Sequence, residues 1–114
     1  MSAIVYGKLR GIGHRYPDGL ESMEVHVPME SSGGLPLVLG KRVTISLVVG
    51  GAADIAGLRA TDRNGYAWIC PDLQDRNKKK VTLARVMKNM NIRRNQQIRL
   101  HVIGTDVHLS AFSE

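Results

Sequence analysis

The sequence predicts a mostly β fold, a small barrel-like domain of about six to seven strands with one α-helix near residues 82–91. Short apolar runs that alternate with a period of two residues recur along the chain, and many of the twelve glycines fall between them. One segment changes to the helical period. Since 43% of the 114 residues are hydrophobic, we expect a single domain, residues 1–114.

The N-terminal half predicts three strands separated by loops. Residues 2–9 are typical of a first strand, and residues 11–19 indicate a loop, because they hold three glycines and a Pro-Asp-Gly turn. Residues 22–27 alternate apolar and polar side chains, which indicates a half-buried strand. Residues 30–36, ESSGGLP, predict a loop. The clearest strand is predicted at residues 41–49, where four apolar side chains share one face.

A hairpin is predicted between residues 54–60 and 66–70. Asn64-Gly65 lies between these β-like runs and is a strong hairpin signal, because both residue types tolerate positive φ. Residues 66–70 are apolar on both faces, so we expect a buried strand that includes Trp68 in the core. Pro71 ends this strand, since proline cannot donate to a sheet ladder.

The predicted helix carries one apolar stripe at positions i, i+3, i+4 and i+7. The stripe consists of Leu83, Val86, Met87 and Met90. Thr82 is the expected N-cap, because its hydroxyl can accept a hydrogen bond from a free N–H of the first turn. Asn91 is the expected C-terminal residue.

The C-terminus predicts a second hairpin, formed by residues 97–103 and 106–112. Gly104-Thr105 fits a two-residue type II′ turn, which has glycine at its first position. This turn sets the register of the two strands. The resulting pairs are Val102 with Val107, Leu100 with Leu109, and His101 with His108.

The positive charge is concentrated in one segment. The net charge is +6, and residues 59–99 hold eleven Lys/Arg and three Asp/Glu, a local excess of +8. Residues 1–58 sum to zero and residues 100–114 to −2. This basic segment favours a nucleic-acid partner. The alternative is a solvated basic surface that aids solubility.

Three residues near the first hairpin tip could read bases. Arg59 and Arg63 could each donate two hydrogen bonds to guanine, and Asn64 could pair with adenine. The alternative is a polar turn in which Asn64 supplies a positive φ and Arg63 is solvated.

Two further basic groups are candidates for phosphate contact. The first is Arg76, Lys78, Lys79 and Lys80, just before the helix. Lysine suits phosphate rather than base edges, and the alternative is a disordered basic loop. The second is Arg93 and Arg94 after the helix, for which placement near the helix C-terminus is the competing explanation.

Catalysis and metal binding are not expected. Cys70 precedes a proline in a buried strand, so we expect an inert thiol. His101 and His108 lack a third ligand at suitable spacing, and no Gly-rich phosphate loop is followed by lysine. Aromatic residues are only 4% of the chain, too few for the stacking platforms of single-strand binders, which favours duplex DNA.

The element order from residue 41 resembles the B3-like pseudobarrel fold of plant transcription factors and restriction-endonuclease recognition domains. The strand KRVTISLVV, the hairpin AGLRATDRNGYAWI, a helix and the hairpin NQQIRLHVIGTDVHL carry this resemblance over residues 41–112. It implies DNA binding by two loop-bearing arms that reach into the major groove. One arm would be the Arg59–Asn64 hairpin, and candidates for the other are Arg10, His14, Arg15 and Tyr16.

We therefore expect a non-catalytic nucleic-acid-binding domain, with duplex DNA preferred, that works through residues 59–99 without a cofactor or metal. The alternatives are an RNA-binding module and a protein-interaction or assembly module with a basic face. No signal peptide or bilayer-spanning apolar run is visible, and the single cysteine cannot form an internal disulfide, so we expect an intracellular protein, cytoplasmic or nuclear. The sequence leaves the oligomeric state open.

Overall fold

The computed structural model describes residues 2–112, and nine strands and one α-helix lie within that range. The helix, α1, spans Leu83–Asn89, and a short 3-10 helix spans Met29–Ser31. The strands are Ser2–Arg15 (β1), Glu21–Pro28 (β2), Val43–Val49 (β3), Ala52–Ala60 (β4), Tyr66–Ile69 (β5), Asp72–Gln74 (β6), Lys80–Thr82 (β7), Gln97–Ile103 (β8) and Asp106–Ala111 (β9). The predicted mostly β fold with one helix is confirmed.

Seven strands close into a barrel in the order β3-β9-β8-β1-β2-β5-β4, and the pairing of β3 with β4 completes the circle. All pairs in the barrel are antiparallel except β3 with β9, which is parallel. β1 is a central strand, because it pairs with β2 along one edge and with β8 along the other. The small hairpin β6–β7 extends the sheet beyond β4.

The barrel interior is filled by aliphatic side chains that come from alternate positions of its strands. Ile45, Leu47 and Val49 of β3 face inward as predicted, and Val25 and Val27 of β2 do the same. The largest completely buried side chains are Leu9, Ile45, Leu47, Leu58, Ile69, Leu73, Leu83, Met87, Ile98 and Leu100. Burial of such aliphatic area is the main source of stability for a domain of this size.

The predicted loop at residues 11–19 is shorter than expected, because β1 continues to Arg15. Its pairing with β2 moves from Gly11–Met23 to Arg15–Glu21, so β1 holds extra residues in a bulge. Gly13 has φ 88°, a conformation that glycine adopts without strain. Gly11 and Gly13 therefore belong to an irregular strand, whereas Gly19, with φ 87°, lies in the turn that follows.

The prediction that β5 is buried on both faces is wrong. Ala67 and Ile69 face the core, whereas Tyr66 and Trp68 are half-buried on the outer side. Trp68 therefore lies outside the core. The strict alternation of a strand prevents neighbouring residues from sharing one face, so an apolar run does not by itself imply double burial.

Local chemistry accounts for α1. The Thr82 hydroxyl accepts a hydrogen bond from the Arg85 backbone N–H at 3.2 Å, as the N-cap prediction requires. Leu83 and Met87 of the predicted stripe are buried. Met90 is not, since it lies at the C-cap and is 45% exposed. Asn91 follows with φ 60°, the left-handed conformation common after a helix end.

Replacing Thr82 by alanine is expected to lower the free energy of unfolding by about 1 kcal/mol, because the first turn loses its side-chain acceptor. Urea denaturation of the variant and of the parent protein measures the difference. Thr82→Ser keeps the hydroxyl and is the matched control. Equal loss in the serine and alanine variants would contradict the capping role.

The C-terminal hairpin has the predicted register. Residues 102 and 107, 100 and 109, and 101 and 108 are paired as expected. Gly104 has φ 63° and Thr105 is not in the left-handed region, which agrees with a type II′ turn. None of the described helices is long and apolar enough to cross a lipid bilayer.

Candidate nucleic-acid interface

Strand pairing creates a row of side chains across four adjacent strands. Lys8 of β1 is the register partner of His26 in β2, His26 is the partner of Trp68 in β5, and Trp68 is the partner of Arg59 in β4. None of these four residues belongs to the barrel core. We define the outer face as this row with its outward neighbours: Lys8, Arg10, Glu24, His26, Arg59, Tyr66 and Trp68.

The outer face combines positive charge with aromatic rings. Lys8, Arg10 and Arg59 are exposed. Its acidic member, Glu24, contacts His26, with Oε1 2.9 Å from Nε2. Because three long cationic side chains stand against one carboxylate, this surface has a positive balance.

The aromatic rings of the outer face pack on one another. The rings of His26 and Tyr66 stack with centroids 4.1 Å apart and an angle of 18° between their planes. Trp68 meets Tyr66 edge to face at 5.7 Å. These contacts restrict the rotation of the rings and fix their orientation on the surface.

A cavity of about 510 Å³ opens beside this stack. It lies where the ladder between β1 and β2 ends at Lys8 and His26, while each strand continues to pair with its other neighbour. Gly7 is in contact with β2 here, since a Cβ on it would lie 2.6 Å from the His26 carbonyl oxygen. The glycine therefore allows the backbones of β1 and β2 to approach closely just before the cavity opens between them.

Two turns border the outer face at opposite ends. The β4–β5 turn, residues 61–65, lies at the end of β2 that holds Pro28, because Pro28 pairs with Tyr66. The β1–β2 turn, residues 16–20, lies at the other end, where Glu21 begins β2. The outer face therefore extends from the β4–β5 turn, which the sequence proposed as one arm, toward the end of β1 that carries His14 and Arg15, candidates for the other arm.

Arg63 and Asn64 are exposed in the β4–β5 turn. The Asn64 backbone N–H donates to Thr61 Oγ1 at 3.3 Å, and Gly65 has φ 74°. The predicted hairpin is confirmed, since β4 and β5 pair antiparallel. Its turn is not a two-residue Asn-Gly turn, because Asn64 is not in the left-handed region. The pairing of Ala60 with Ala67 encloses six residues, and this longer loop needs positive φ only at the glycine.

The β1–β2 turn is held by side chains. Arg15 Nη1 donates to the Gly19 carbonyl oxygen at 2.9 Å, and Arg85 of α1 donates to Asp18 Oδ2 at 2.6 Å. The hydrogen bond from the Leu20 N–H lowers the pKa of the Asp18 carboxyl, and Arg85 acts in the same direction. The turn is thus attached to the helix.

The lysine cluster is not part of the outer face. Arg76, Lys78 and Lys79 lie in the β6–β7 turn, where Asp75 Oδ1 accepts the backbone N–H groups of Asn77 and Lys79 at 2.9 Å each. Asp75 therefore holds the backbone of this turn in one conformation. Lys78 and Lys80 line a separate cavity of about 400 Å³ with Arg42. Lys80 also lies 3.7 Å from Asp72.

Arg93 and Arg94 lie on a third surface, beyond the C-terminus of α1. Arg94 is 3.4 Å from Glu21 Oε2, and the Arg93 backbone N–H donates to Gln96 Oε1 at 3.0 Å. Both arginines border a cavity with Lys88. The structure therefore distributes the predicted basic residues over three surfaces, and it brings Arg10 and Arg59 onto the outer face.

Sequence reasoning missed Lys8 and His26 as candidates. Their alternation with buried neighbours was a usable signal, because Val5 and Leu9 face inward on β1, and Val25 and Val27 on β2. The sequence did not reveal that the sheet continues from β1 and β2 into β5 and then β4.

The two histidines of the C-terminal hairpin face each other with ring centroids 6.4 Å apart. Within residues 2–112 no three His, Cys, Asp or Glu side chains come together in a group that could hold a metal ion. The two histidines therefore form a cross-strand pair with no third ligand in that range.

Cys70 is expected to react slowly with iodoacetamide at pH 7 in the native protein. Partial burial raises the pKa of its thiol, and the neighbouring Arg42 guanidinium offsets this only in part. Because the thiolate is the nucleophile, the native rate should be lower than that of the same protein unfolded in urea. Mass spectrometry after timed quenching measures both rates. Equal rates would contradict the protection.

Fold and site together define a small closed β-barrel domain with a cationic and aromatic outer face bordered by two turns. Comparison of the chain with protein-family models, curated proteins and solved structures finds no match.

Proposed function

We propose that this protein is a non-catalytic nucleic-acid-binding domain that binds duplex DNA across its outer face. Lys8, Arg10 and Arg59 would contact phosphates on this surface. Arg63 and Asn64, in the adjoining turn, would reach the base edges of a groove. Arg15 at the opposite turn would contact the second side of the duplex.

The observation that carries the proposal is the register-aligned row Lys8, His26, Trp68 and Arg59 between two turns. Phosphate contacts supply most of the affinity of non-specific binding, and cationic side chains on a continuous surface can meet several phosphates at once. The net charge of +6 favours association with a polyanion.

The resemblance to the B3-like pseudobarrel fold supports the same proposal. That family binds DNA with two loop-bearing arms. By this resemblance the β4–β5 turn would be one arm, and the segment from Arg10 to Tyr16, which leads into the β1–β2 turn, would supply the other. The attachment of the β1–β2 turn to α1 through Asp18 and Arg85 supports such a role as well. A turn that is already held loses less entropy when it meets a ligand.

Fluorescence-anisotropy titrations against random duplex DNA, single-stranded DNA and duplex RNA test the proposal. They are made at about 50 and 200 mM salt, because affinity that comes from phosphate contacts falls over this range. We expect the tightest binding to duplex DNA and a steep loss of affinity with salt. Tighter binding to duplex RNA would favour the RNA-binding alternative. Absence of binding to all three would contradict the proposal and favour a basic surface for a protein partner.

The triple variant Lys78→Ala, Lys79→Ala, Lys80→Ala tests the β6–β7 turn separately. If these lysines contact phosphate, affinity falls for all sequences alike, and the slope of log K against log salt falls by about 0.9 for each lost contact. The same anisotropy titrations measure this slope. An unchanged affinity and slope would restrict the interface to the outer face and its two turns.

A further inference from the structure

The cavity beside the His26–Tyr66 stack has the size and lining of a small-molecule site. Its volume of about 510 Å³ lies within the range of ligand pockets, roughly 300–1,000 Å³. Tyr6, Tyr66 and His26 supply aromatic surface, and Lys8 and Arg10 supply positive charge. Such pockets typically pair apolar walls with a few polar groups that fix orientation.

The aromatic groups of this cavity are held in place. Tyr66 is half-buried and stacked on His26, as described above. Tyr6 is 45% exposed, and its ring packs edge to face on Phe112 with centroids 5.0 Å apart. A planar heteroaromatic ring can stack on such fixed rings whatever its identity, because every nucleobase has a π face.

The polar groups of the cavity can contact the edge of a nucleobase and the phosphates beside it. Gln97 offers both an amide donor and an amide acceptor, and Ser31 offers a hydroxyl, so together they can pair with the edge of a base. Lys8 and Arg10 can contact the flanking phosphates. An apolar peptide side chain would leave these cationic groups without a partner.

We propose that this cavity accepts one unstacked nucleobase from DNA bound on the outer face. The inference rests on the proposed function and adds a substrate class to it, namely duplexes that contain an unpaired or mispaired base. Removing a base from the stack costs free energy, and the cost is least where pairing is already lost. The cavity would therefore favour defective duplexes over matched ones.

The test uses the full chain and short duplexes of one sequence, fully matched or with one mispaired base. We expect the mispaired duplex to bind about tenfold more tightly or better. Tyr66→Ala should reduce this preference by at least about fivefold, the lower end of the effect of losing one base–aromatic stack. Tyr66→Phe keeps the ring and should keep the preference. His108→Ala, which removes an exposed ring on β9, is the matched control.

The outcomes separate the two proposals. Equal affinity of the parent protein for matched and mispaired duplexes overturns the nucleobase cavity and leaves duplex binding intact. A preference that survives in Tyr66→Ala also overturns it, provided that circular dichroism shows the variant folded. If the variant is unfolded, Gln97→Ala, which changes an exposed side chain, tests the same preference. Absence of binding to either duplex overturns both proposals.

Discussion

The double variant Lys8→Ala, Arg59→Ala is expected to bind duplex DNA more weakly than the parent protein and with a shallower salt dependence. Both side chains belong to the register-aligned row, with His26 and Trp68 between them. Each lost phosphate contact lowers the slope of log K against log salt by about 0.9, so we expect a decrease of roughly two units. Anisotropy titrations at several salt concentrations measure the slope.

The matched control is Lys41→Ala, Lys88→Ala, which removes the same charge from exposed positions outside the outer face. Long-range attraction depends on net charge, so this control should show a modest loss of affinity and a nearly unchanged slope. If both double variants lose affinity and slope equally, DNA does not contact the outer face in particular. That result would mean that DNA binding depends only on the net charge of the protein.

Leu58→Ala is expected to lower the free energy of unfolding by about 2–5 kcal/mol, since it opens a cavity in the core. Leu58 is completely buried and pairs with Val43 on one side and Ile69 on the other. Its side chain thus packs where β4 joins β3 and closes the barrel. Urea denaturation followed by circular dichroism measures the loss.

Ile55→Ala on the same strand is the control, because Ile55 is 44% exposed. Surface substitutions usually change stability by less than about 0.5 kcal/mol, so the two variants should differ clearly. A similar effect of the two substitutions would mean that β4 is not packed against the barrel interior as described.

Local patterns predicted the elements whose partners are close in sequence. In the C-terminal hairpin, Gly104 requires a specific turn, and that turn pairs Leu100 with Leu109. At the helix, Thr82 supplies its own cap within three residues. In each case the residues that specify the element and the contacts that they make lie in the same short segment.

The candidate site could not be predicted in this way, because its residues meet only through strand order. Lys8 and Arg59 lie on β1 and β4, which are separated by β2 and β5 in the sheet. Nothing in the sequence next to either residue specifies that order. Trp68 was misplaced for a related reason: the run Tyr66–Ile69 is apolar throughout, and only its neighbours decide which face is inward.

The position of β1 also determines when the barrel can form. β1 needs β8 along one edge, and β8 begins only at Gln97, far from β1 in the sequence. During synthesis the first hairpin would emerge with this edge unpaired and open to association with other chains. The parallel pairing of β3 with β9 requires residues that are made later still, since it runs from Ser46–Asp106 to Val49–Leu109. Folding that depends on such distant pairings is slow, and the barrel closes only after the residues of β9 have been made.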